Sequence, residues 1–283
     1  MTLLTRIAPP VVRPSYRAAR LLERNWLVYK SIKWAIFAGF FEPVFYLLSL
    51  GIGLGSLIGE VPGPDGRLVS YAAFVAPAML AASAMNGAIY ESTFNIFFKL
   101  KYGNTYKAIL ATPLGPGDVA TGEIVWSLIR GALYSTGFLV VMTVMGLMES
   151  WWGLLALPAT ILIGFAFGAV GMAATTFMRS WQDFDLVNMV TLPLFLFSAT
   201  FYPLEVYPEA LQRFTQFSPL YHGVELIRGL TLGAIGPGML TNLLVWLAIE
   251  QLGNLTQLQL NLVKIIATGL ILLPKFAGYR DFV

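Results

Sequence analysis

The chain contains six long apolar segments, and these constrain its fold more than any other feature. Each is long enough to cross the membrane as an α-helix, which needs about 20 residues for roughly 30 Å of hydrocarbon. Lipid offers no hydrogen-bonding partner to a free backbone, so segments of this length cross as helices. The sequence therefore predicts an all-α membrane protein with six transmembrane helices, at about residues 34–58, 71–94, 119–147, 152–177, 184–203 and from 238 onward.

The composition agrees with a chain that faces lipid, because 57% of its residues are hydrophobic and 12% are charged. Soluble domains carry about a quarter charged residues. The sequence has no Cys, which excludes disulfides and cysteine nucleophiles, and the single His222 excludes two-histidine zinc motifs. No P-loop sequence is present, so we expect no cofactor on this chain, and any ATP-driven step needs another polypeptide.

The distribution of Lys and Arg predicts the orientation of the spans. The first thirty residues lack the apolar core of a cleavable signal, so we expect the amino terminus to stay in the cytoplasm. With that orientation, fourteen of the 18 Lys and Arg residues fall in cytoplasmic segments and three fall outside. This bias is the one expected for a multi-pass protein of the plasma membrane.

The cytoplasmic amino terminus, residues 1–33, contains a basic stripe. Arg13, Arg17, Arg20 and Arg24 recur at helical spacing, with apolar residues on the opposite side. This pattern predicts an amphipathic helix at the inner membrane surface. The helix either fixes topology only or also contacts a cytoplasmic partner.

The loop between the second and third spans contains the short amphipathic stretch TYKAIL at residues 105–110. Asn104 or Thr105 can cap a helix there, and Pro113 and Pro116 end it. The sequence therefore predicts a short rigid cytoplasmic helix. The bland alternative is an ordinary basic loop that only sets topology.

The outer loops and the carboxyl end are less regular. Residues 59–70 are predicted to form a Gly/Pro turn, and residues 203–237 hold two short helical patterns. Neither pattern is long enough to span, so we expect a re-entrant helical pair in the outer leaflet. The permease domain is assigned to residues 34–247, and residues 248–283 hold the end of the sixth span and a tail of different composition.

Charges inside spans are functional candidates. Glu42 lies in the first span before Pro43, and it serves either as a polar helix-packing contact or in gating or the substrate path. Glu123 and Arg130, seven residues apart in the third span, either pair along the helix or extend to the inner interface.

Five stretches together carry a family resemblance, which covers roughly residues 25–240. The chain resembles ABC transporter permeases of the polysaccharide and drug export class, and most closely the nodulation lipooligosaccharide exporter and daunorubicin-type exporter permeases. The tail after about residue 247 departs from that family. The stretches are EPVFYLLSLGIGLG, YAAFVAPAMLAASAM, FKLKYGNTYKAILATPLGPGDVATGEIVWSLIRG, FLFSATFYPLEVYPEALQ and PLYHGVELIRGLTLG.

The resemblance implies one subunit of an exporter in the bacterial inner membrane. Two permease chains, expected as a homodimer, would join two nucleotide-binding ATPase subunits that hold ATP and Mg, with no nucleic acid partner. The cargo would be a lipid-linked glycan, a glycolipid or a hydrophobic drug. The cytoplasmic helix would be a coupling helix, in which Tyr106, Ile109 and Leu110 offer an apolar face to the ATPase.

The resemblance also implies roles for sets of residues. Basic side chains of the loop would meet acidic groups on the ATPase, namely Lys99, Lys101 and Lys107. The full set of coupling residues is Asn104, Thr105, Tyr106, Lys107, Ile109, Leu110 and Thr112, and the interface helix contributes Arg17, Arg20 and Arg24. The cargo path would follow spans two and five, along Met79, Met85, Phe94, Leu194, Phe197, Ser198 and Phe201, although helix packing also produces such an apolar stripe.

Two other function classes remain open at this point. An ion-coupled secondary transporter would use Glu42 or Arg130 as its charged group. An intramembrane lipid-modifying enzyme would use His222 and Glu225 as an acid/base pair. A P-loop ATPase encoded beside this chain would favour the exporter.

Overall fold

The computed structural model describes residues 18–31, 41 and 44–247. Glu42, Arg17 and residues 248–283 lie outside the described residues, so the expectations for them stay predictions. Within the described part the chain is mostly helical, with three helices long and apolar enough to cross a membrane, Tyr71–Lys101, Gly117–Val144 and Trp151–Phe177. These correspond to the second, third and fourth predicted spans.

The helices are numbered in chain order. The interface helix comes first and is followed by a short apolar helix, which belongs to the predicted first span. A short apolar helix at the start of the predicted sixth span is the last one described. Their bounds are α1 Ala18–Ser31, α2 Val44–Ile58, α3 Tyr71–Lys101, α4 Thr105–Leu110, α5 Pro116–Val144, α6 Ala156–Phe177, α7 Asp183–Leu196, α8 Glu209–Phe217, α9 Pro219–Leu232 and α10 Pro237–Leu247.

Helix α3 is the centre of the bundle and packs against α2, α5, α6 and α9. Its first turn is capped by Ser70, whose hydroxyl oxygen accepts a hydrogen bond from the Ala73 N–H at 3.2 Å. Seven of the fourteen buried residues in its first part, Tyr71–Tyr90, are alanine. Small side chains let neighbouring helix backbones approach closely in membranes, which is how α3 contacts four partners at once.

The carboxyl-terminal half of α3 contains a π-helical segment, Glu91–Asn95. Such segments interrupt the regular ladder and leave backbone groups in need of other partners. Here the Thr175 hydroxyl of α6 donates to the Ser92 carbonyl at 2.9 Å. Gly171 of α6 permits this approach, because a Cβ there would lie 2.2 Å from the Ser92 Oγ.

The loop at 59–70 contains the predicted Gly/Pro turn, and two short strands pair on either side of it as an antiparallel hairpin. Strands β1 (Glu60–Pro62) and β2 (Leu68–Ser70) pair with Val61 opposite Val69. Arg67 then donates to the Leu232 carbonyl at 3.0 Å, so the hairpin is tied to the end of α9. The described residues are therefore all-α except for this short sheet.

The fifth predicted span is shorter than the sequence suggested. Helix α7 has 14 residues and ends at Leu196, whereas the prediction ran to residue 203. The chain turns at Ala199, which has a φ of 52°. The Ser198 hydroxyl donates to the Leu194 carbonyl at 2.5 Å and the Thr200 hydroxyl to the Phe195 carbonyl at 2.7 Å, so side chains satisfy the end of the helix.

Candidate functional site at the cytoplasmic end of the bundle

Helix α4 covers TYKAIL at the predicted bounds. It begins after Asn104, whose backbone is left-handed with a φ of 47°. Asn104 occupies the predicted N-cap position, but its side chain makes no capping hydrogen bond, and Thr105 already lies inside the helix. At the other end the Thr112 hydroxyl donates to the Ile109 carbonyl at 2.6 Å, and Pro113 follows.

The two faces of α4 differ from the prediction. Tyr106 and Ile109 turn into the chain and are buried, whereas Leu110 is 46% exposed beside exposed Lys107. The predicted apolar docking face was therefore wrong for Tyr106 and Ile109, because these side chains complete the chain's own core. The outward face consists of Lys107, Ala108, Leu110, Ala111 and Thr112.

The inner face of α4 joins a second hydrophobic core, here called the cytoplasmic cluster. It receives one side chain each from α1, α3, α5 and α6, and two from α4. Its buried members are Leu21, Ile96, Tyr106, Ile109, Ile124 and Met172. A force applied to α4 therefore enters a cluster to which four other helices contribute, and close-packed interiors transmit displacement.

Burial is the main cause that raises the pKa of Tyr106, with the negative charge of Glu123 as the next cause. The phenol therefore stays neutral across the physiological range. Its hydroxyl has no hydrogen-bond partner among the described residues. Tyr106 thus acts as a large packing group in the cytoplasmic cluster.

A buried ion pair lies beside this cluster. Lys99 Nζ of α3 lies 2.7 Å from Glu123 Oε2 of α5, and the Asn25 amide of α1 donates to the same oxygen at 3.4 Å. Both predictions for Glu123 were wrong, because its partner comes from another helix. Lys99 is likewise held inside the chain rather than aimed at a partner.

A second buried pair joins the same three helices nearer the middle of the bundle. Arg130 of α5 binds Glu91 of α3, which the sequence analysis missed although it is a carboxylate within an apolar helix. Arg130 also donates to Tyr134 at 3.2 Å and lies over the ring of Tyr29, 4.7 Å from its centroid. Removing one partner of such a buried pair costs about 3–5 kcal/mol.

Helix α1 packs on α5 by one side, whereas its apolar residues Trp26 and Leu27 are exposed. Leu21, Asn25 and Tyr29 face α5, whereas Arg20 and Arg24 are exposed as the stripe predicted. Arg20 Nη1 pairs with Glu23 at 2.8 Å on that outer surface. The contact that the structure shows for this helix is with the third span of its own chain.

The predicted path residues do not share one surface. Met79 and Met85 lie inside the core, because α3 is enclosed on that side by α5, α6 and α9. Ser198 is buried against the Ser218 hydroxyl at 2.7 Å. The remaining members are half-buried or exposed, namely Phe94, Leu194, Phe197 and Phe201.

A ladder of aromatic rings runs along α3. Its members recur every four residues, and successive ring centroids lie 4.8, 4.8 and 5.3 Å apart. Twelve residues of helix correspond to about 18 Å. The four-residue spacing of these aromatic residues was visible in the sequence, but only Phe94 was predicted as a functional residue. The ladder consists of Tyr90, Phe94, Phe98 and Tyr102, with Trp181 and Phe184 packed beside it.

The acid/base pair proposed for the enzyme alternative does not form, because both side chains have other partners. His222 Nδ1 lies 2.8 Å from Asn242 Oδ1 and Nε2 lies 2.9 Å from the Gln216 carbonyl. Glu225 pairs with Arg228 at 2.5 Å, so His222 and Glu225 form no acid/base pair. The described part of the chain also holds no group of three or more residues suited to a metal ion.

Comparison with known proteins agrees with the resemblance seen in the sequence. A family described as ABC-2 type transporter matches residues 17–232. The chain is 36% identical over 214 residues to nodulation protein J of Rhizobium leguminosarum bv. viciae, covering 75% of this chain and 80% of that protein.

Two further relatives carry the same name. Nodulation protein J of Rhizobium meliloti is 35% identical, covering 75% of this chain and 80% of that protein. Nodulation protein J of Sinorhizobium fredii is 33% identical, covering 77% of this chain and 82% of that protein. The chain therefore belongs to the ABC-2 type transporter family, as a multi-pass membrane permease.

Proposed function

We propose that this chain is the membrane-spanning permease subunit of an ATP-driven exporter. Two copies of the chain pair, and each binds a separate ATP-hydrolysing subunit that holds ATP and Mg. The observation that carries the proposal is the two-faced helix α4 in a chain of this family. Its outer face is exposed for a partner, and its inner face joins a hydrophobic cluster to which four other helices contribute.

The ATPase subunit moves α4 through contacts with Lys107, Leu110 and Thr112. Leu110 supplies the apolar anchor that a helix-in-groove contact needs. Tyr106 and Ile109 pass the displacement to the cytoplasmic cluster. Three of the seven coupling residues thus face outward to the ATPase, and two face inward to the spans.

The cargo is amphipathic, and a lipid-linked glycan or glycolipid fits better than a plain hydrophobic drug. The aromatic ladder supports this choice, because Tyr90, Tyr102 and Trp181 are exposed and combine apolar rings with polar tips. An interfacial layer is only about 5–8 Å thick on each side, so a ladder of about 18 Å extends beyond a normal aromatic belt.

Co-purification with the ATPase encoded nearest to this chain tests the proposal. The permease in lipid nanodiscs is expected to bind that subunit and to change its ATP hydrolysis rate when glycolipid extracts are added. An ATPase whose binding and rate ignore the permease would contradict the proposal. The matched comparison is the same ATPase with empty nanodiscs.

The proposed orientation has its own test. An epitope tag inserted at residue 62 should be labelled from outside intact cells, and a tag at residue 103 only after permeabilisation. Labelling in the reverse pattern would contradict a cytoplasmic α4.

A further inference from the structure

Two buried ion pairs of opposite polarity connect α3 to α5. In the first, the cation is Lys99 on α3 and the anion is Glu123 on α5. In the second, the anion is Glu91 on α3 and the cation is Arg130 on α5. Read along α3, the charges run negative then positive, and the facing charges on α5 run in the opposite order.

This order makes axial sliding unfavourable in both directions. The two charges on α3 are eight residues apart and the two on α5 are seven apart, which corresponds to roughly 10–12 Å along the helices. Sliding α3 toward its carboxyl end moves Glu91 toward Glu123. Sliding it the other way moves Lys99 toward Arg130. Each displacement breaks two attractions and creates a like-charge contact in a poorly solvated site.

We propose that these four residues are positioning residues that fix the axial register of α3 against α5. The helix hairpin made of α3, α4 and α5 then moves as one rigid body when α4 is displaced. The movement with α4 rests on the proposed function, whereas the fixed register of α3 against α5 does not. Buried charge pairs are best attested in such registry roles rather than as sources of stability.

Helix α1 strengthens the arrangement, because it contacts the α5 member of each pair. Asn25 donates to Glu123 at 3.4 Å, and the ring of Tyr29 lies under Arg130. The Tyr29 and Tyr134 hydroxyls are 2.5 Å apart. The α5 charges are therefore also held by α1, which leaves α3 as the element whose register the pairs select.

A charge swap separates register from simple attraction. The double substitution Lys99→Glu with Glu123→Lys keeps both ion pairs but gives them the same polarity. A slide that brings Glu91 beside position 123 then becomes attractive. The neutral double substitution Lys99→Gln with Glu123→Gln removes one pair but creates no alternative register.

The measurement uses the purified permease without its ATPase, so its outcome is independent of the proposed function. The sequence has no Cys, so Leu100→Cys and Val140→Cys place two spin labels on exposed positions of α3 and α5. We expect one label-to-label distance in the parent and in the neutral variant. The swap variant should show a second distance, displaced by roughly 10 Å.

A control swap of the exposed pair, Arg20→Glu with Glu23→Arg, should leave the single distance unchanged. A swap variant with only the parental distance would overturn the proposal. A broader spread of label-to-label distances in the neutral variant than in the swap variant would also overturn it. That result is expected if the pairs act by attraction alone, because the swap keeps both attractions and the neutral variant loses one. Circular dichroism of each variant confirms that the helices are retained.

Discussion

Leu21 packs directly on the bare backbone of Gly122, so that a Cβ at Gly122 would lie 2.9 Å from the Leu21 Cβ. Gly122→Ala should push α1 away from α5 and destabilise the protein by about 1–3 kcal/mol, as overpacking does. Gly131→Ala on the same helix meets nothing within 4 Å and should be neutral or stabilising by up to about 1 kcal/mol. Thermal unfolding of the purified variants checks this order, and equal stability of the two would contradict it.

Leu110→Asp tests the outward face of α4. A carboxylate at this exposed position leaves the fold intact but cannot enter an apolar groove without losing its hydration. We expect ATPase binding at least about tenfold weaker, equivalent to 1.4 kcal/mol, with normal membrane insertion. Leu68→Asp on the exposed hairpin is the matched control and should bind normally. Equal binding of both variants would rule out Leu110 as the anchor.

Arg228 is a buried tie between the outer helices and α3. It is 1% exposed, donates to the Phe74 carbonyl at 3.2 Å and the Ala199 carbonyl at 2.8 Å, and pairs with Glu225. Arg228→Met should lower the free energy of unfolding by about 3–5 kcal/mol, because it leaves the Glu225 carboxylate and the two carbonyls without their hydrogen-bond donor. Arg213→Met at an exposed site should change stability by about 0.5 kcal/mol or less. Thermal unfolding of the two variants checks this difference. A small loss of stability in Arg228→Met would contradict the role of Arg228 in holding these helices together.

The face of α7 tests the proposed pairing of two copies. None of the residues of α7 is buried within the chain, and Met189 is among the most exposed. Met189→Cys should form a disulfide-linked dimer under mild oxidation in native membranes. Val170→Cys, on the exposed side of α6, should remain monomeric. Cross-linking of Val170→Cys alone, or of neither variant, would contradict pairing through α7.

Local signals predicted best, as α4 shows. Its bounds follow from the amphipathic stretch and the prolines after it, which are close in sequence. The partner of Glu123 was not predictable in this way, because Lys99 lies on another helix 24 residues earlier. The end of α7 was also missed, because the turn at Ala199 is held by Arg228, 29 residues later.

The burial of Tyr106 and Ile109 shows a related limit. An amphipathic helix reveals that one face is buried but not what covers it. Five helices contribute to the cytoplasmic cluster, and only their packing decides that the apolar side of α4 faces inward. The aromatic ladder, in contrast, was present in the sequence as a four-residue period.

The 14 residues of α7 have a consequence for the surrounding lipid. A helix of this length reaches about 21 Å, whereas the hydrocarbon layer is about 30 Å thick. Hydrophobic mismatch of this size is relieved by thinning the bilayer beside the helix. Under the proposed function, a bilayer thinned beside α7 would be a shorter barrier for a polar headgroup, and the acyl-chain length of the lipids would then govern how easily that headgroup crosses.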